Sequence, residues 1–326
     1  MTAPQTAPAF MTRSYTDEDL QAVTDLLNAC DEVDRQDDNY TPEDLDNEFN
    51  EPELDKTRDM RLWHDAEGKL AGLGQVWRRQ NELEGTLEGA AYMRVRPDAR
   101  NRGLEDEIIA WMSDRTREIA AETGLRPRLR IGARDHLDYY RAAFERNGMS
   151  PVRYFFLMHR DLADPIPQPE FPEGFTLIHT RGAEDSERWV EMFNLSFIDH
   201  WGFAPMKVES HKHWLSSPKY VAERDLVAVA PDGTWAAFDL CWIDPEDNER
   251  NNRSEGWIDV LGTRRGYRKI GLGRAMLLAG LHRLKQDGMA MAKLGVDAEN
   301  PTGALKLYES AGFYVKHTTV VYRKDL

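Results

Sequence analysis

A strand, a glycine-containing loop and a helix follow one another in residues 257–288 of this chain. Residues 257–261 have the apolar and aromatic composition of a strand. Gly271 and Gly273 then open a segment whose apolar residues recur at roughly helical spacing, namely Ile270, Leu277, Leu278, Leu281 and Leu284. Gly288 stands where a helix C-terminus favours a left-handed residue. This order of elements predicts an α/β fold.

The loop between this strand and helix is suited to holding an anion. The first N–H groups of a helix have no intrahelical partner and lie at the positive end of its dipole. Glycine lets a phosphate approach these amides, and four basic side chains add charge: Arg264, Arg265, Arg268 and Lys269. No Gly-Lys-Ser/Thr follows the glycines, so the loop is not a P-loop. It also does not open the chain's first strand–helix unit with a ribose-binding acid downstream, as in a dinucleotide-binding fold. A tight turn with a solvated basic edge is the alternative interpretation.

A second strand and helix follow the first pair. Residues 293–297 have strand composition, and Asn300 with Pro301 is expected to start a helix that closes at Gly312 and Phe313. The apolar face of this predicted helix consists of Ala304, Leu307, Tyr308 and Ala311.

Together the two segments resemble the GNAT N-acetyltransferase superfamily. Its acyl-CoA signature, Arg/Gln-x-x-Gly-x-Gly/Ala, is matched by residues 268–273. Its second signature, an Asn followed by a helix ending Leu-Tyr-Glu-x-x-Gly-Phe, is matched by Asn300 and residues 307–313. The motifs stand in the family's order and spacing, and the resemblance covers the last half of the chain directly.

The resemblance implies a layered α/β domain with a mixed central sheet, helices on its faces and two parallel strands that splay apart. The splayed strands here would be residues 257–262 and 292–296. Acetyl-CoA is the implied co-substrate and no metal is expected. Backbone amides near residues 261–263 would hold the pantetheine and polarise the thioester, and those near 269–274 the pyrophosphate. The expected cofactor-binding residues are Leu261, Gly262, Thr263, Arg268, Lys269, Ile270, Gly271, Leu272, Gly273, Arg274 and Asn300.

The same resemblance assigns the proton-transfer roles. Tyr308 is at the family's usual donor position, where a phenol of ordinary pKa about 10 stays protonated and can serve the departing thiolate. Spacing alone instead favours a core aromatic residue, and the motif match favours the donor role. The family's frequent glutamate base is replaced here by Trp257, so the base is expected to be Glu255 or Asp259, which are its neighbours at period two on the same strand face.

A run of aromatic and titratable residues precedes the core strands of this half, in residues 197–203. In the family this region borders the acceptor pocket, so His200, Trp201 and Trp257 are expected to contact the acceptor. His200 can titrate near neutral pH, or it can be a packed histidine. His211 and His213 lie nearby, but no metal-ligand spacing accompanies them.

The first half of the chain repeats the second at domain scale. Gly124 and Gly148 are 24 positions apart, as are Gly288 and Gly312. A weaker copy of the loop occupies residues 94–105. Glu105 there is opposite Gly273, so a carboxylate stands where a backbone amide would face a phosphate. Phe144 is opposite Tyr308, so the first copy lacks the phenol.

A segment with four prolines separates the copies and predicts a stiff extended connector. We therefore expect two tandem GNAT domains: a degenerate domain in residues 9–161, a linker in 162–173 and a catalytic domain in 174–326. A disordered tail is expected before residue 9.

Composition excludes several classes of partner. The net charge of −15 and the pI near 5.1 argue against nucleic acid and anionic membrane surfaces, which need a basic footprint. No apolar run approaches the ~20 residues that span a bilayer, and no export signal is visible at the N-terminus. Cys30 and Cys241 show no metal or redox spacing. A cytoplasmic protein, monomeric or homodimeric, is the expectation.

The predicted function is transfer of acetyl from acetyl-CoA to a primary amine of a small molecule, in the C-terminal domain. The two-copy layout resembles that of mycothiol synthases, in which the second half also carries the better-preserved motifs. Alternative predictions are a protein or peptide N-acetyltransferase, a longer-chain acyltransferase, or a non-catalytic acyl-CoA sensor.

Overall fold

The computed structural model describes residues 10–36, 39–81 and 84–326, and the expected N-terminal tail lies outside these ranges. Contacts divide the chain into two compact units: Met1–Arg153 with Thr319–Leu326, and Tyr154–Thr318. These units do not coincide with the linear domain limits predicted above, because each half contributes its last strand to the unit of the other half. The linear limits remain a prediction.

The first unit contains five strands from its own half of the chain and the end of a sixth from the C-terminus. In chain order these are β1 Met11–Ser14, β2 Met60–His64, β3 Leu70–Asn81, β4 Thr86–Val95, β5 Arg126–Arg134 and the end of Tyr314–Asp325, which is β12. They are adjacent in the order β1-β2-β3-β4-β5-β12. Only β4 and β5 pair in parallel, so the sheet is mixed. The helices of this unit are α1 Leu20–Asp34, α2 Pro42–Phe49, α3 Lys56–Asp59, α4 Leu104–Thr123 and α5 Asp138–Arg146.

Local sequence explains where these helices begin and end. The Oγ1 of Thr41 accepts a hydrogen bond of 3.1 Å from the N–H of Asp44, which caps α2 ahead of Pro42. Helix α4 ends at Gly124, whose φ of +70° is left-handed. Both boundaries therefore follow from residues that favour these positions at helix ends.

Helices cover both faces of the first sheet. Leu62 and Trp63 are neighbours in β2 and point to opposite faces. Leu62 packs in a cluster with Leu26 of α1, and Trp63 in a cluster with Ile108 of α4. The unit is therefore a three-layer α/β structure.

The second unit has the same layered plan. Its strands are β6 Ser150–Asp161 from Tyr154 onward, β7 Thr176–His179, β8 Asp225–Val229, β9 Trp235–Trp242, β10 Glu255–Thr263 and β11 Met291–Asp297. They are adjacent in the order β6-β11-β10-β9-β8-β7, and only β10 and β11 pair in parallel. Its helices are α6 Ser186–Phe197, α7 Val208–Trp214, α8 Pro245–Arg250, α9 Leu272–Gln286 and α10 Ala304–Ser310.

Two predictions from the sequence need correction in this unit. The polar composition of residues 244–255 predicts a loop, but this segment includes helix α8, because the Oδ1 of Asp244 caps it by accepting from the N–H of Asp247 at 2.9 Å. Helix α10 begins at Ala304 rather than at Asn300. The side chain of Asn300 instead holds a turn by accepting from the N–H of Thr302 at 2.8 Å, and Gly303 has a φ of +80°.

The helices of the second unit again lie on both faces of the sheet. Ala237 and Phe238 are neighbours in β9 and belong to different clusters. Ala237 packs with Met276 of α9, and Phe238 packs with Trp189 of α6. Residues 165–172 form neither helix nor strand and lie along this unit, where Pro167 O is 3.0 Å from the Nε2 of His282. In the part of the chain described, no helix is long and apolar enough to cross a membrane.

Candidate active site

A splayed strand pair is the basis of the site. The parallel ladder of β10 and β11 contains three residue pairs, from Glu255 and Met291 to Trp257 and Lys293. Immediately after it, the register between β10 and β9 shifts around Asp259. A β-bulge of this kind bends and twists its strand. It separates β10 from β11 as expected, and a Cβ added to Gly295 of β11 would meet nothing within 4 Å.

A cleft of about 680 Å³ lies where the strands open. Eleven of the residues singled out from the sequence line it: His200, Leu261, Gly262, Thr263, Arg268, Lys269, Gly271, Gly273, Arg274, Asn300 and Tyr308. Two of the predicted cofactor-binding residues do not line the cleft. Ile270 is exposed, and Leu272 is buried in the cluster that contains Met276. The cleft thus brings both signature motifs together.

The N-terminus of α9 opens into this cleft. Gly271 is its N-cap residue with a φ of +88°, and no side chain caps the helix. The N–H groups of Leu272, Gly273 and Arg274 consequently have no intrahelical partner. A Cβ on Gly273 would come within 3.3 Å of the Oγ1 of Thr263, so a larger residue here would narrow the seat. These amides can bind an anion.

Arg268 lines the cleft, but its guanidinium is committed to the protein. Its Nε donates to Thr263 O at 3.0 Å and its Nη2 to Ser196 O at 2.8 Å. Its Nη1 donates to the Oδ2 of Asp199 at 2.7 Å. Asp199 also accepts from Arg265, and these two guanidinium groups hold the pKa of its carboxyl well below the usual range. No local sequence pattern indicates the ion pair between Arg268 and Asp199, because 69 positions separate the two residues.

Tyr308 is in α10 and combines both roles considered for it from the sequence. It is 8% exposed, it packs in the apolar cluster of α9, and it lines the cleft. Burial, with a contribution from the charge of Asp239, raises the pKa of Tyr308 well above its usual value. The phenol is therefore protonated at neutral pH and can donate a proton.

The two candidate bases differ in their surroundings. Glu255 is ion-paired with Lys293, whose Nζ is 2.8 Å from its Oε2 and 4.8 Å from the ring centroid of Trp257. Asp259 is in the bulge and is an exposed residue. Desolvation of its carboxyl by nearby protein atoms raises the pKa of Asp259 to about 6. Neither residue lines the cleft as delimited above.

The three predicted acceptor residues are placed differently. His200 lines the cleft with its ring 4.4 Å from that of Phe197, and burial lowers the pKa of His200 below its usual value. Trp201 lies 6.2 Å from the ring of Phe155, and Trp257 packs against Lys293. Only His200 of the three is in the cleft. Among the described residues, no group of three or more His, Cys, Asp or Glu side chains is placed to hold a metal ion.

The first unit repeats the loop, and side chains of the protein accept hydrogen bonds from backbone N–H groups there. The N–H of Asn101 donates to the Oε1 of Glu105 at 3.1 Å, and Glu105 is 2% exposed. The N–H of Val95, at the end of β4, donates to the hydroxyl of Tyr140 at 3.1 Å. Phe144, which stands opposite Tyr308, is buried beside Tyr140.

The parallel strands of the first unit are also paired over a longer stretch. The parallel ladder of β4 and β5 runs over six pairs, from Thr86 and Arg126 to Ala91 and Ile131. No register shift interrupts the pairing of β3 with β4. The bulge at Asp259 thus has no counterpart in the described part of the first copy.

The chain is similar to known acetyltransferases in sequence. The model of the Acetyltransferase (GNAT) family matches residues 186–313. A mycothiol acetyltransferase of Thermobispora bispora is 31% identical over 254 residues, which cover 73% of this chain and 80% of that protein. One of Segniliparus rotundus is 28% identical over 266 residues, covering 79% and 92%.

Solved structures show the same fold along the whole chain. A GCN5-related N-acetyltransferase from Sphaerobacter thermophilus has a TM-score of 0.74 at 26% identity and covers 98% of this chain and 96% of its own. A tandem GNAT protein from the clavulanic acid biosynthesis pathway has a TM-score of 0.70 at 15% identity, with 97% and 98% covered. The second likeness concerns the fold alone.

Proposed function

The chain belongs to the GNAT acetyltransferase family and is an acyltransferase. From this premise we propose that it transfers acetyl from acetyl-CoA to a primary amine of a small molecule, and that the chemistry takes place in the cleft of the second unit. The observation that carries the proposal is the convergence of the splayed strands, the uncapped N-terminus of α9 and Tyr308 on one cleft. Relatives named mycothiol acetyltransferases support a small-molecule acceptor.

The residues of the cleft fit acetyl-CoA, which would supply the activated acetyl group as a thioester. Beyond Trp257, the edge of β10 that faces away from β9 has no strand partner among the described residues. Backbone groups of residues 261–263 are therefore available to the pantetheine and the thioester oxygen. The amides at the start of α9, with Lys269 and Arg274, would hold the pyrophosphate. Gly295 leaves the gap between the strands open.

We assign proton transfer to two side chains, Asp259 of β10 and Tyr308 of α10. Asp259, with its pKa of about 6, is ionised at neutral pH and basic enough to accept a proton from the amine, directly or through water. Tyr308 keeps its proton until the thiolate leaves and then donates it. Glu255 is less suited to the role of base, because the ammonium of Lys293 holds its carboxylate.

The contacts of the first unit support a single working site per chain. Glu105 satisfies an amide of the loop that a phosphate would need, and Tyr140 satisfies the Val95 N–H at the strand end. A ligand would have to displace both side chains from buried positions. We therefore assign a structural role to this copy.

Calorimetric titration with acetyl-CoA tests the proposal. We expect one site per chain, lost in Gly273→Glu because the carboxylate would enter the anion seat beside Thr263. Glu105→Gln in the first unit is the matched control and should leave the stoichiometry at one. Two sites in the wild type would contradict the single-site assignment, and no binding at all would refute the acetyl-CoA reaction.

A panel of amines and acyl-CoAs then tests the acceptor and the acyl chain. We expect turnover with acetyl-CoA and a small primary amine. Turnover confined to peptide N-termini, or to long-chain acyl-CoAs, would replace this substrate class while leaving the cleft assignment intact.

A further inference from the structure

The signature arginine of the cofactor loop connects two parts of the site. We use "cofactor loop" for residues 264–273 and "acceptor loop" for residues 197–203, which begin at the last residue of α6. Each of the three nitrogens of Arg268 donates to a protein oxygen: Thr263 O, Ser196 O and the Oδ2 of Asp199. Three of the five N–H donors of the guanidinium are thus used by the protein before any ligand arrives.

The acceptor loop depends on this connection for its attachment. Asp199 accepts from Arg268 at 2.7 Å and from the Nε of Arg265 at 2.9 Å, so both charged contacts reach the cofactor loop. His200 follows directly and lines the cleft beside Phe197. Asp199 itself lines the cleft and keeps 27% of its side chain exposed, so it is not a core residue.

The first unit contains the same clamp without the site. The Nε of Arg100 donates to Val95 O, five residues earlier, as Arg268 does to Thr263 O. Its two remaining nitrogens donate to Asp34, at the end of α1, at 2.7 and 2.8 Å. Because Glu105 fills the loop of this copy, the arginine–aspartate pair exists there without a phosphate to bind. The arginine–aspartate pair therefore belongs to the fold and does not require a ligand. In the second unit the corresponding pair lies beside the proposed active-site cleft.

We propose that Asp199 is a positioning residue of the acetyl transfer, which through Arg268 fastens the acceptor loop to the cofactor loop. The inference rests on the proposed function. Contacts made by acetyl-CoA on the cofactor loop are thereby transmitted to the place where His200 faces the acceptor. Arg268 acts through Asp199 and is not itself a phosphate ligand.

Amide hydrogen exchange of the full chain with and without CoA tests the coupling before any amine is known. In the wild type we expect CoA to slow exchange in both loops. In Asp199→Asn we expect CoA still to protect the cofactor loop but to protect the acceptor loop much less. Asp34→Asn, which breaks the matching pair in the first unit, should leave the response of both loops unchanged.

Binding and kinetics separate a clamp from a ligand. For Asp199→Asn and Arg268→Gln we expect nearly unchanged CoA affinity and, with an accepted amine, a rise in the KM of the amine on the order of tenfold. The double variant should be no worse than the more damaging single variant, because both substitutions remove the link between Arg268 and Asp199. Asp199→Glu should recover part of the loss.

The outcomes are distinct. Absence of CoA binding in the wild type would remove the proposed function. If CoA binds, equal protection of the acceptor loop in wild type and Asp199→Asn, or no protection in either, would overturn the clamp. A loss of CoA affinity in Arg268→Gln far beyond that in Asp199→Asn would instead make Arg268 a phosphate ligand.

Discussion

Lys293 donates a hydrogen bond of 2.8 Å to the Oε2 of Glu255. A second cation, Arg253, lies 3.8 Å from the same oxygen, so this carboxylate is paired at the start of β10. Asp259, four positions further along β10, forms no ion pair with any described residue, and desolvation raises its pKa to about 6. Of these two acids of β10, the one in the bulge is the better candidate for the base.

We predict that Asp259→Asn lowers kcat/KM by on the order of 10²-fold or more, because the proton of the amine loses its acceptor. Glu255→Gln, the matched change on the same strand face, should have a much smaller effect. Steady-state kinetics with both variants checks this. The assignment fails if Glu255→Gln is the more damaging substitution.

The pH profile should carry the signature of the same group. Asp259 is active when ionised, so kcat/KM should fall as the pH is lowered through about 6. This acid limb should disappear from the residual activity of Asp259→Asn. An unchanged limb in that variant would assign the titration to another residue.

For Tyr308→Phe we expect a fall in kcat of about 10²-fold with little change in acetyl-CoA affinity, because only the proton donor is removed. The aromatic ring stays in its cluster with Phe313, so the thermal unfolding midpoint should move little. Kinetics and calorimetry on one preparation distinguish the effects. Full activity in Tyr308→Phe would leave the ring with a packing role only.

Two glycines of the splayed strands should respond in opposite ways to alanine. A Cβ on Gly262 would lie 2.4 Å from the Cε1 of Phe238, so Gly262→Ala should cost about 1–3 kcal/mol of unfolding free energy. A Cβ on Gly295 meets nothing within 4 Å, so Gly295→Ala should keep its stability and lose acetyl-CoA affinity by narrowing the gap. Denaturant unfolding and calorimetry report the two properties. Unchanged affinity in Gly295→Ala would place the ligand elsewhere.

Asp239 should make the stability of the protein fall with rising pH. Its carboxyl is fully buried, the Oδ2 has no partner among the described residues, and burial raises its pKa well above the usual value. The folded state holds the proton that the unfolded state releases near pH 4, so stability falls by up to about 1.4 kcal/mol per pH unit from there to the folded pKa. Asp239→Asn should flatten this part of the curve in denaturant unfolding at several pH values. Parallel curves for the two proteins would contradict it.

Local sequence was enough for the features that depend on neighbouring residues. The uncapped glycine start of α9, the Thr41 cap of α2 and the left-handed Gly124 at the end of α4 follow from backbone requirements that few residue types satisfy. The motif spacing between residues 268 and 313 likewise predicted the family and the layered α/β fold. The start of α10 was missed, because the Asn300 side chain favours a turn over a helix.

Tertiary structure decided everything that depends on partners distant in sequence. The exchange of β6 and β12 arises from pairings with β11 and β5, which no local pattern encodes. The choice between Glu255 and Asp259 depends on Lys293 and on a register shift against β9. Arg268 is held by Asp199, 69 positions away. The sequence by itself thus determined the family and the elements of the site, whereas packing determined which charges are already paired and which remain available for chemistry.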